Sequence, residues 1–530
     1  MSKVLIINPT VREEDVPRHV PYGLALLTAI AIEKKHMVQV YDDNAWRQDE
    51  DTLVEVLRAD DWEVVALGGI TTAYGSIKKI VKVVNEVLPN CLIVLGGGVL
   101  TSLPREIMTY LPQVSIGCIG EGFSTFPEIL ESVDNGNRNW EKIKGVIFRG
   151  QDGELIFTEE RPILMELDSL PYPAWDMFPL EEVYFKNSEA LFSEQGMLAK
   201  RRLDINASYG CSLICRYCYH LGLSGDIKYE EDDTGKTTVE FDKPGNYTRV
   251  IRYHSPEYIV NMVKHVYDKY QVDFIGFLDE NLMTMNTSSG GTWLGEICEL
   301  WKKKGLAPKS KYDDNGKLLG WEGVYWGGTS HATLCNPEIL KVMKEAGCSH
   351  LVYGYESFSP HVMRTIGKGA TPKNNFQSFF WTLEANIRPI PNLIIGFPVE
   401  DFQSLRDNIQ AWDELGIVVK PHFATPYPGS EWFSTYRKTI EAQYDGDLEA
   451  FILDLGDATQ ISATISHNFN AVELIGLREM MLARNFRAMD QYEKTWRKNH
   501  NIPEGQPSTL IGLKKDKKNK LSNLKVFSNK

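Results

Sequence analysis

The chain has 530 residues, 43% of them apolar and 24% charged, a balance that excludes wholesale disorder and predicts several domains rather than one core. A formal net charge of −14 argues against nucleic-acid binding through one large basic field. No apolar run reaches the roughly 18 residues of a membrane span and Met1–Pro9 carries no secretory h-region, so a cytoplasmic protein with reduced thiols is expected.

Residues 1–138 alternate strand and helix signals. Val4–Asn8, Met37–Tyr41, Val64–Gly68, Leu92–Gly96 and Val114–Ile119 read as strands. Gly23–Lys34, Leu53–Leu57, Ile77–Val87 and a segment from about Ser124 read as helices between them. Five strands separated by helices predict a doubly wound, Rossmann-like parallel sheet, which binds ligands beyond the carboxyl ends of its strands. Residues 139–200 read as a linker. Val146–Phe148 and Leu155–Phe157 flank Gln151-Asp152-Gly153 as a hairpin, and Leu170–Trp175 reads as an extended strap.

Six further strand candidates fall within 201–430: Leu203–Ser208, Phe274–Leu278, Gly323–Tyr325, His350–Tyr355, Asn392–Ile395 and His422–Thr425. They predict a partial (β/α)6 TIM-type barrel with its active site at the C-terminal mouth. Two polar segments, Asp226–Tyr247 and Lys302–Lys317, read as surface insertions, each a candidate hairpin. Residues 431–510 read as a helical C-terminal domain. Residues 511–530 read as a basic disordered tail, with seven lysines and one aspartate from Gly512 onward.

Three of the eight cysteines fall within eight positions, as Cys211, Cys215 and Cys218 in C-x-x-x-C-x-x-C spacing. A 4Fe–4S cluster normally takes four thiolates, so three leave one iron open. An open iron can chelate the amino and carboxylate groups of S-adenosylmethionine. One electron into the sulfonium then releases a 5′-deoxyadenosyl radical. Zinc is the competing reading, with His220 as a fourth ligand, but zinc sites use different spacing. Cys91, Cys118, Cys298, Cys335 and Cys348 are scattered and predict no second cluster.

Residues 1 to about 430 resemble the radical S-adenosylmethionine enzymes with an N-terminal cobalamin-binding domain, a class that contains methyltransferases and the anaerobic magnesium-protoporphyrin cyclase. The resemblance rests on several motifs. Tyr217 is the aromatic residue before the third cysteine, and Asp279-Glu280-Asn281 is the acidic motif after the second barrel strand. Gly354-Tyr355-Glu356-Ser357 is the step after the fourth strand, and Gly396-Phe397-Pro398 ends the fifth. Pro426–Ser430 resembles the closing turn, and Leu170–Pro179 the strap of the cyclase-like branch. It implies that Tyr217, Asp279, Glu280, Asn281, Gly354, Glu356, Ser357 and Gly396 contact S-adenosylmethionine.

In the N-terminal domain the resemblance implies cobalamin. Thr71, Thr72, Gly97, Gly98, Val99, Gly120, Glu121 and Gly122 stand at strand ends where a large flat ligand would lie. The Asp-x-His-x-x-Gly motif that supplies a cobalt-ligating histidine elsewhere is absent, and His19 and His36 stand outside such a context, so a histidine-free lower face is expected.

The leading expectation is methylation of an unactivated carbon, or of phosphorus, in a small molecule. A radical cyclase or oxidative ring-forming enzyme is the alternative, and a cobalamin sensor the remote one. Tyr219 and His422 are the candidate catalytic residues. His220, Trp326, Tyr353, Tyr355 and Tyr427 are candidates to line the substrate pocket, and His331 resembles His422 in context. A one-electron reductant of flavodoxin or ferredoxin type is expected as partner, with a monomer or homodimer as the assembly.

Overall fold

The computed structural model describes residues 1–190, 192–219, 251–503 and 505–510, together with the backbone of the strands at 227–231 and 237–241. His220, the tail at 511–530 and the rest of the first polar insertion lie outside the described residues.

Strands β1 (Lys3–Asn8), β2 (Met37–Asp42), β3 (Val64–Gly68), β4 (Leu92–Gly96) and β5 (Ile116–Cys118) form a parallel array in the order β2-β1-β3-β4-β5. Their residues alternate between two cores, as the period of two requires. Leu5, Ile7, Val65 and Leu67 join the helix Tyr74–Val87 on one face. Val4, Ile6, Val64 and Ala66 join the helix Gly122–Asp134 on the other. Burial on both faces explains why these strands read as nearly continuous apolar runs.

The sheet differs from the expectation at one edge. The hairpin β6 (Val146–Arg149) and β7 (Leu155–Phe157), expected within a linker, pairs antiparallel onto β5 and makes a mixed sheet of seven strands. Ile147 and Phe148 each bury into one of the two cores, and the hairpin covers the otherwise open edge of β5.

The second sheet contains β8 (Arg202–Ile205), β13 (Phe274–Phe277), β16 (Tyr325–Ser330), β17 (Cys348–Glu356), β18 (Arg388–Ile395) and β19 (His422–Phe423). All six are parallel and follow chain order, so the sheet is an open partial barrel. Shorter strands intervene: β9 (Ser208–Tyr209), β10 (Ile227–Glu231), β11 (Thr237–Phe241), β12 (Arg252–Tyr253), β14 (Lys309–Tyr312) and β15 (Leu318–Glu322). β10–β11 and β14–β15 are the hairpins of the two polar insertions, and β9 pairs with β12. Helices on the outside begin at Ser255, Asn336 and Thr371, each of which caps a backbone N–H and precedes a proline at the first helical position.

Among the described residues the helical C-terminal region has no core of its own. Phe433, Ile440, Phe451 and Ile452 bury with the N-terminal sheet, whereas Leu474, Leu477, Met481 and Trp496 bury with the barrel. The first half is pinned to the N-terminal domain by Tyr74 and Lys78, which donate to Glu449 at 2.5 and 2.6 Å. The strap and the turn after it do the same from the other side. Ala174 N–H bonds to Ala25 O at 2.9 Å, and Tyr184 donates to the buried Asp42 carboxylate at 2.7 Å. The two sheets are therefore held by long apolar seams rather than by a flexible linker. Among the described residues no helix is long and apolar enough to cross a membrane.

Candidate active site

The three clustered cysteines lie on the loop after β8 and β9, at the carboxyl mouth of the barrel. Four contacts fix this loop. Gly210, at φ +99°, donates its N–H to Glu280 at 2.6 Å. Arg216 N–H bonds to Ile366 O and Trp432 N–H to Arg216 O, both at 3.2 Å, while Arg216 Nε donates to Glu431 at 2.6 Å. Cys215 is buried and Cys211 and Cys218 are partly exposed, and none of the three is in a disulfide. Among the described residues no three Cys, His, Asp or Glu side chains converge on a single-ion site. A cubane asks for something else, because each thiolate binds a different iron and the sulfurs stay apart.

Glu356 ends β17 with its backbone at φ +62°, an uncommon conformation for a side-chain-bearing residue. Its carboxylate is buried and accepts from Tyr217 OH at 2.8 Å and from Lys368 Nζ at 2.9 Å. Lys368 Nζ also donates to Tyr217 OH at 3.0 Å. A Cβ on Gly354 would come within 2.8 Å of Lys368 Nζ, so the glycine of the Gly-Tyr-Glu-Ser step makes room for this ion pair. Lys368 was not among the residues expected from sequence. Its signal is the pattern Gly367-Lys368-Gly369, in which both glycines adopt positive φ. His331 supports the same turn, since its Nε2 meets Lys368 O at 3.1 Å and burial pushes its pKa down to about 3.

The acidic motif divides its labour. Asp279 is buried and accepts from Ser208 Oγ and from Ala207 N–H at 3.2 Å, so it ties β8 to the cluster loop. Burial, opposed by the Ser208 hydrogen bond, pushes its pKa from 3.8 up to about 7. The unfolded chain ionises Asp279 at lower pH than the folded chain does, so stability falls as pH rises through about 4 to 7. Asp279→Asn is expected to flatten that slope, worth on the order of 3 kcal/mol between the two conditions, when thermal melts at pH 5 and pH 8 are compared. Among the described residues Asn281 buries both amide atoms without a partner, and Ser330 Oγ, on the neighbouring strand, is likewise buried and unpartnered. Orphaned polar groups of this kind at a barrel mouth fit a polar ligand.

Other expected residues fall elsewhere. Ser357 is fully buried and bonds to Asn408 at 3.2 Å, which makes it a turn-former in the helix layer. Trp326, Tyr353 and Tyr355 are core residues, not pocket residues. Their polar atoms meet Ala346 O, Thr382 and Ser378 among the outer helices. Alternation along β17 sends Tyr353 and Tyr355 outward and Gly354 and Glu356 inward. Gly396 adopts φ +88°, and a Cβ there would lie 2.9 Å from Leu474, so it serves the packing of the C-terminal helix. His422 is half-buried at the end of the sheet. Burial lowers its pKa against the pull of Glu356 and Asp457. Tyr219 is 37% exposed with its ring 6.5 Å from that of Tyr427.

A cleft of about 420 Å³ opens at the carboxyl edge of the first sheet and runs between the sheet and the helices that begin at Tyr22 and Gly122. Gly68, Gly97, Gly98, Gly120 and Gly122 line it, as do Leu27 and Phe126 deeper in. Gly97 adopts φ +81° and ψ −175°, and a Cβ there would lie 2.7 Å from both N and O of Gly69. The bare backbone and apolar depth fit a large flat cofactor with a buried tail. Gly97→Ala is expected to cost about 1–3 kcal/mol in backbone strain alone and to abolish cobalamin retention, read by thermal melting and by hydroxocobalamin titration. Val99 is buried and donates its N–H to Gly69 O at 3.0 Å, bracing the cleft wall. Thr71 and Thr72 sit in the turn after β3, where the Thr72 hydroxyl is buried without a partner among the described residues. Glu121 does not line the cleft. It turns away and forms an ion pair with Arg252 of β12.

A barrel that carries a three-thiol loop at its mouth, seamed to a glycine-edged cofactor domain, defines a radical S-adenosylmethionine enzyme with a second cofactor. Residues 10–130 match the B12 binding domain model and residues 205–411 the Radical SAM superfamily model. The chain belongs to the cobalamin-dependent radical S-adenosylmethionine enzymes, whose cofactors are a 4Fe–4S cluster, S-adenosylmethionine and cobalamin. It is 24% identical over 436 residues to an uncharacterized methyltransferase of Pyrococcus horikoshii, covering 81% of this chain and 82% of that one. It is 22% identical to the anaerobic magnesium-protoporphyrin IX monomethyl ester cyclase of Cereibacter sphaeroides, over 80% of this chain but 61% of the cyclase. In fold it is similar to the radical S-adenosylmethionine methyltransferase TsrM of Kitasatospora setae. The TM-score is 0.61 at 15% identity, over 83% of this chain and 79% of that one.

Proposed function

We propose that the chain is a methyltransferase that acts on an unactivated carbon, or on phosphorus, of a small molecule. The observation that carries this reading is the approach of the two cofactor sites. Gly429, in the turn after β19, packs between Ser102 at the edge of the cobalamin domain and the Tyr219 carbonyl beside the third cysteine. A Cβ there would lie 3.4 and 2.9 Å from them. A substrate between the sites could meet both cofactors. The methyltransferase relative, matched over most of both chains, supports the same reading.

When bound, the cluster and cobalamin supply, respectively, one electron for cleaving S-adenosylmethionine and a carrier for a methyl group. The chain's own residues bind and orient. Cys211, Cys215 and Cys218 hold three irons and leave the fourth to S-adenosylmethionine. Glu280, Asn281 and Ser330 offer polar partners on one side of the mouth. Glu356 and Lys368 set paired charges on the other, where a zwitterionic methionyl group or a ribose would be held. Tyr219, His422 and Tyr427 face the substrate. Residues 1–138 hold cobalamin and 201–430 the cluster. The electron arrives from a flavodoxin- or ferredoxin-type reductant.

The test is anaerobic reconstitution with iron, sulfide and hydroxocobalamin, followed by assay with S-adenosylmethionine and dithionite. Formation of both 5′-deoxyadenosine and S-adenosylhomocysteine is the expected result. Formation of 5′-deoxyadenosine without S-adenosylhomocysteine overturns methyl transfer and favours ring formation.

A further inference from the structure

We propose that Glu121 and Arg252 are positioning residues that set the cobalamin cleft at its working distance and angle from the cluster loop. The proposal rests on the methyl-transfer reading above. Gly120, Gly122 and Phe123 line the cleft, but the Glu121 side chain between them leaves it. Both of its carboxylate oxygens take Arg252, whose side chain is 6% exposed. Arg252 Nη1 reaches Glu121 Oε2 at 3.0 Å and Nη2 pairs with Oε1. Nη1 also donates to Leu164 O at 2.6 Å, which fastens the segment ahead of the strap at the same point.

From Arg252 the contacts run directly to the start of the cysteine loop. Arg252 pairs with Tyr209 in the β9–β12 ladder, and its guanidinium lies 5.4 Å from the Tyr209 ring centroid. The same ring stands edge-on to Phe123 of the cleft at 5.7 Å. Tyr209 precedes Gly210 and Cys211. A cleft wall, a two-pronged ion pair and the first cluster cysteine are thus joined within a few residues. A planar fork fixes direction as well as distance, which a lysine cannot do. The domains do not need this pair simply to stay together, because the Glu449 and Tyr184 contacts and the apolar seams of the C-terminal helices hold them elsewhere.

The step that needs the geometry is methyl transfer from S-adenosylmethionine to cobalamin. The sulfur keeps the electron pair of the broken C–S bond, and S-adenosylhomocysteine leaves. Cob(I)alamin, made by the added reductant, supplies the pair for the new bond. Cleavage to 5′-deoxyadenosine needs the cluster and S-adenosylmethionine alone, so the two products separate positioning from general damage.

The experiment uses the reconstituted holoenzyme, Arg252→Lys and Glu121→Gln, with dithionite and no substrate. In both variants one-turnover S-adenosylhomocysteine formation should fall about 100-fold, as for an ångström-scale misplacement, while 5′-deoxyadenosine formation changes less than about threefold. Hydroxocobalamin should still bind with unchanged affinity. A second readout is hydrogen–deuterium exchange of the peptide around Ser208–Cys211. Hydroxocobalamin should slow its exchange in the parent protein and not in either variant. Equal loss of both products, loss of cobalamin affinity in step, or an unchanged exchange response overturns the proposal. A parent protein that makes no S-adenosylhomocysteine overturns the methyl-transfer reading instead, and the exchange arm then still decides whether the pair couples the two sites.

Discussion

Cys215→Ala should leave a folded protein that holds no intact cluster and makes no detectable 5′-deoxyadenosine. A cubane held by three thiolates cannot be held by two without exposing a second iron, and such clusters lose iron. Cys215 is the buried member of the three, so no water or neighbouring carboxylate can easily take its place. The loop itself should survive, because the Arg216 backbone ties it to Ile366 and Trp432 and the Arg216 guanidinium to Glu431, none of them through the thiol. Anaerobic reconstitution followed by iron analysis should find about four irons in the parent protein and far fewer in the variant, with cobalamin retained. A variant that keeps its iron and still cleaves S-adenosylmethionine would remove the basis for the cluster assignment.

Lys368→Met should destabilise the protein by about 3–5 kcal/mol and abolish S-adenosylmethionine binding, because it strands the Glu356 carboxylate in a buried site. Both side chains of the pair are less than a tenth exposed, so solvent cannot screen the orphaned charge. Tyr217 OH would be left as a neutral donor to Glu356, which does not replace a cation. Glu356→Gln in the Lys368→Met background should recover much of the stability and none of the ligand affinity. Denaturation of the four proteins of this cycle separates the pair's coupling from the loss of each partner. Independent, additive losses would mean that the pair is not the unit it looks to be.

The gross architecture was legible because both sheets obey local rules. Strands read from apolar runs lie within a few residues of the observed ones, from β4 at Leu92–Gly96 to β17 at Cys348–Glu356. The order of six βα units predicted the parallel partial barrel, since short right-handed connections leave few topologies open. The β6–β7 hairpin was visible as a hairpin but not as part of the first sheet. Its partner is the edge of β5, and an edge is a property of the assembled sheet. The helices after residue 431 were visible as helices, but their apolar faces did not say which of two cores they cover.

The candidate site divides along the same line. Cys211, Cys215 and Cys218 point to a cluster by spacing alone, because the three thiols sit within one loop and the loop's length sets their reach. Gly97 and the glycines around it could be read as a bare strand edge for a comparable reason. Only the tertiary structure decided the rest. Tyr355 and Glu356 are adjacent, yet one packs into the helix layer and the other enters the barrel, since a single-residue step reverses the face of a strand. Lys368 meets Tyr217 across 151 residues and Arg252 meets Glu121 across 131, contacts that no local period encodes. A charged residue in sequence is by default solvated, and it becomes half of a buried ion pair only where folding brings its partner near and removes the water between them.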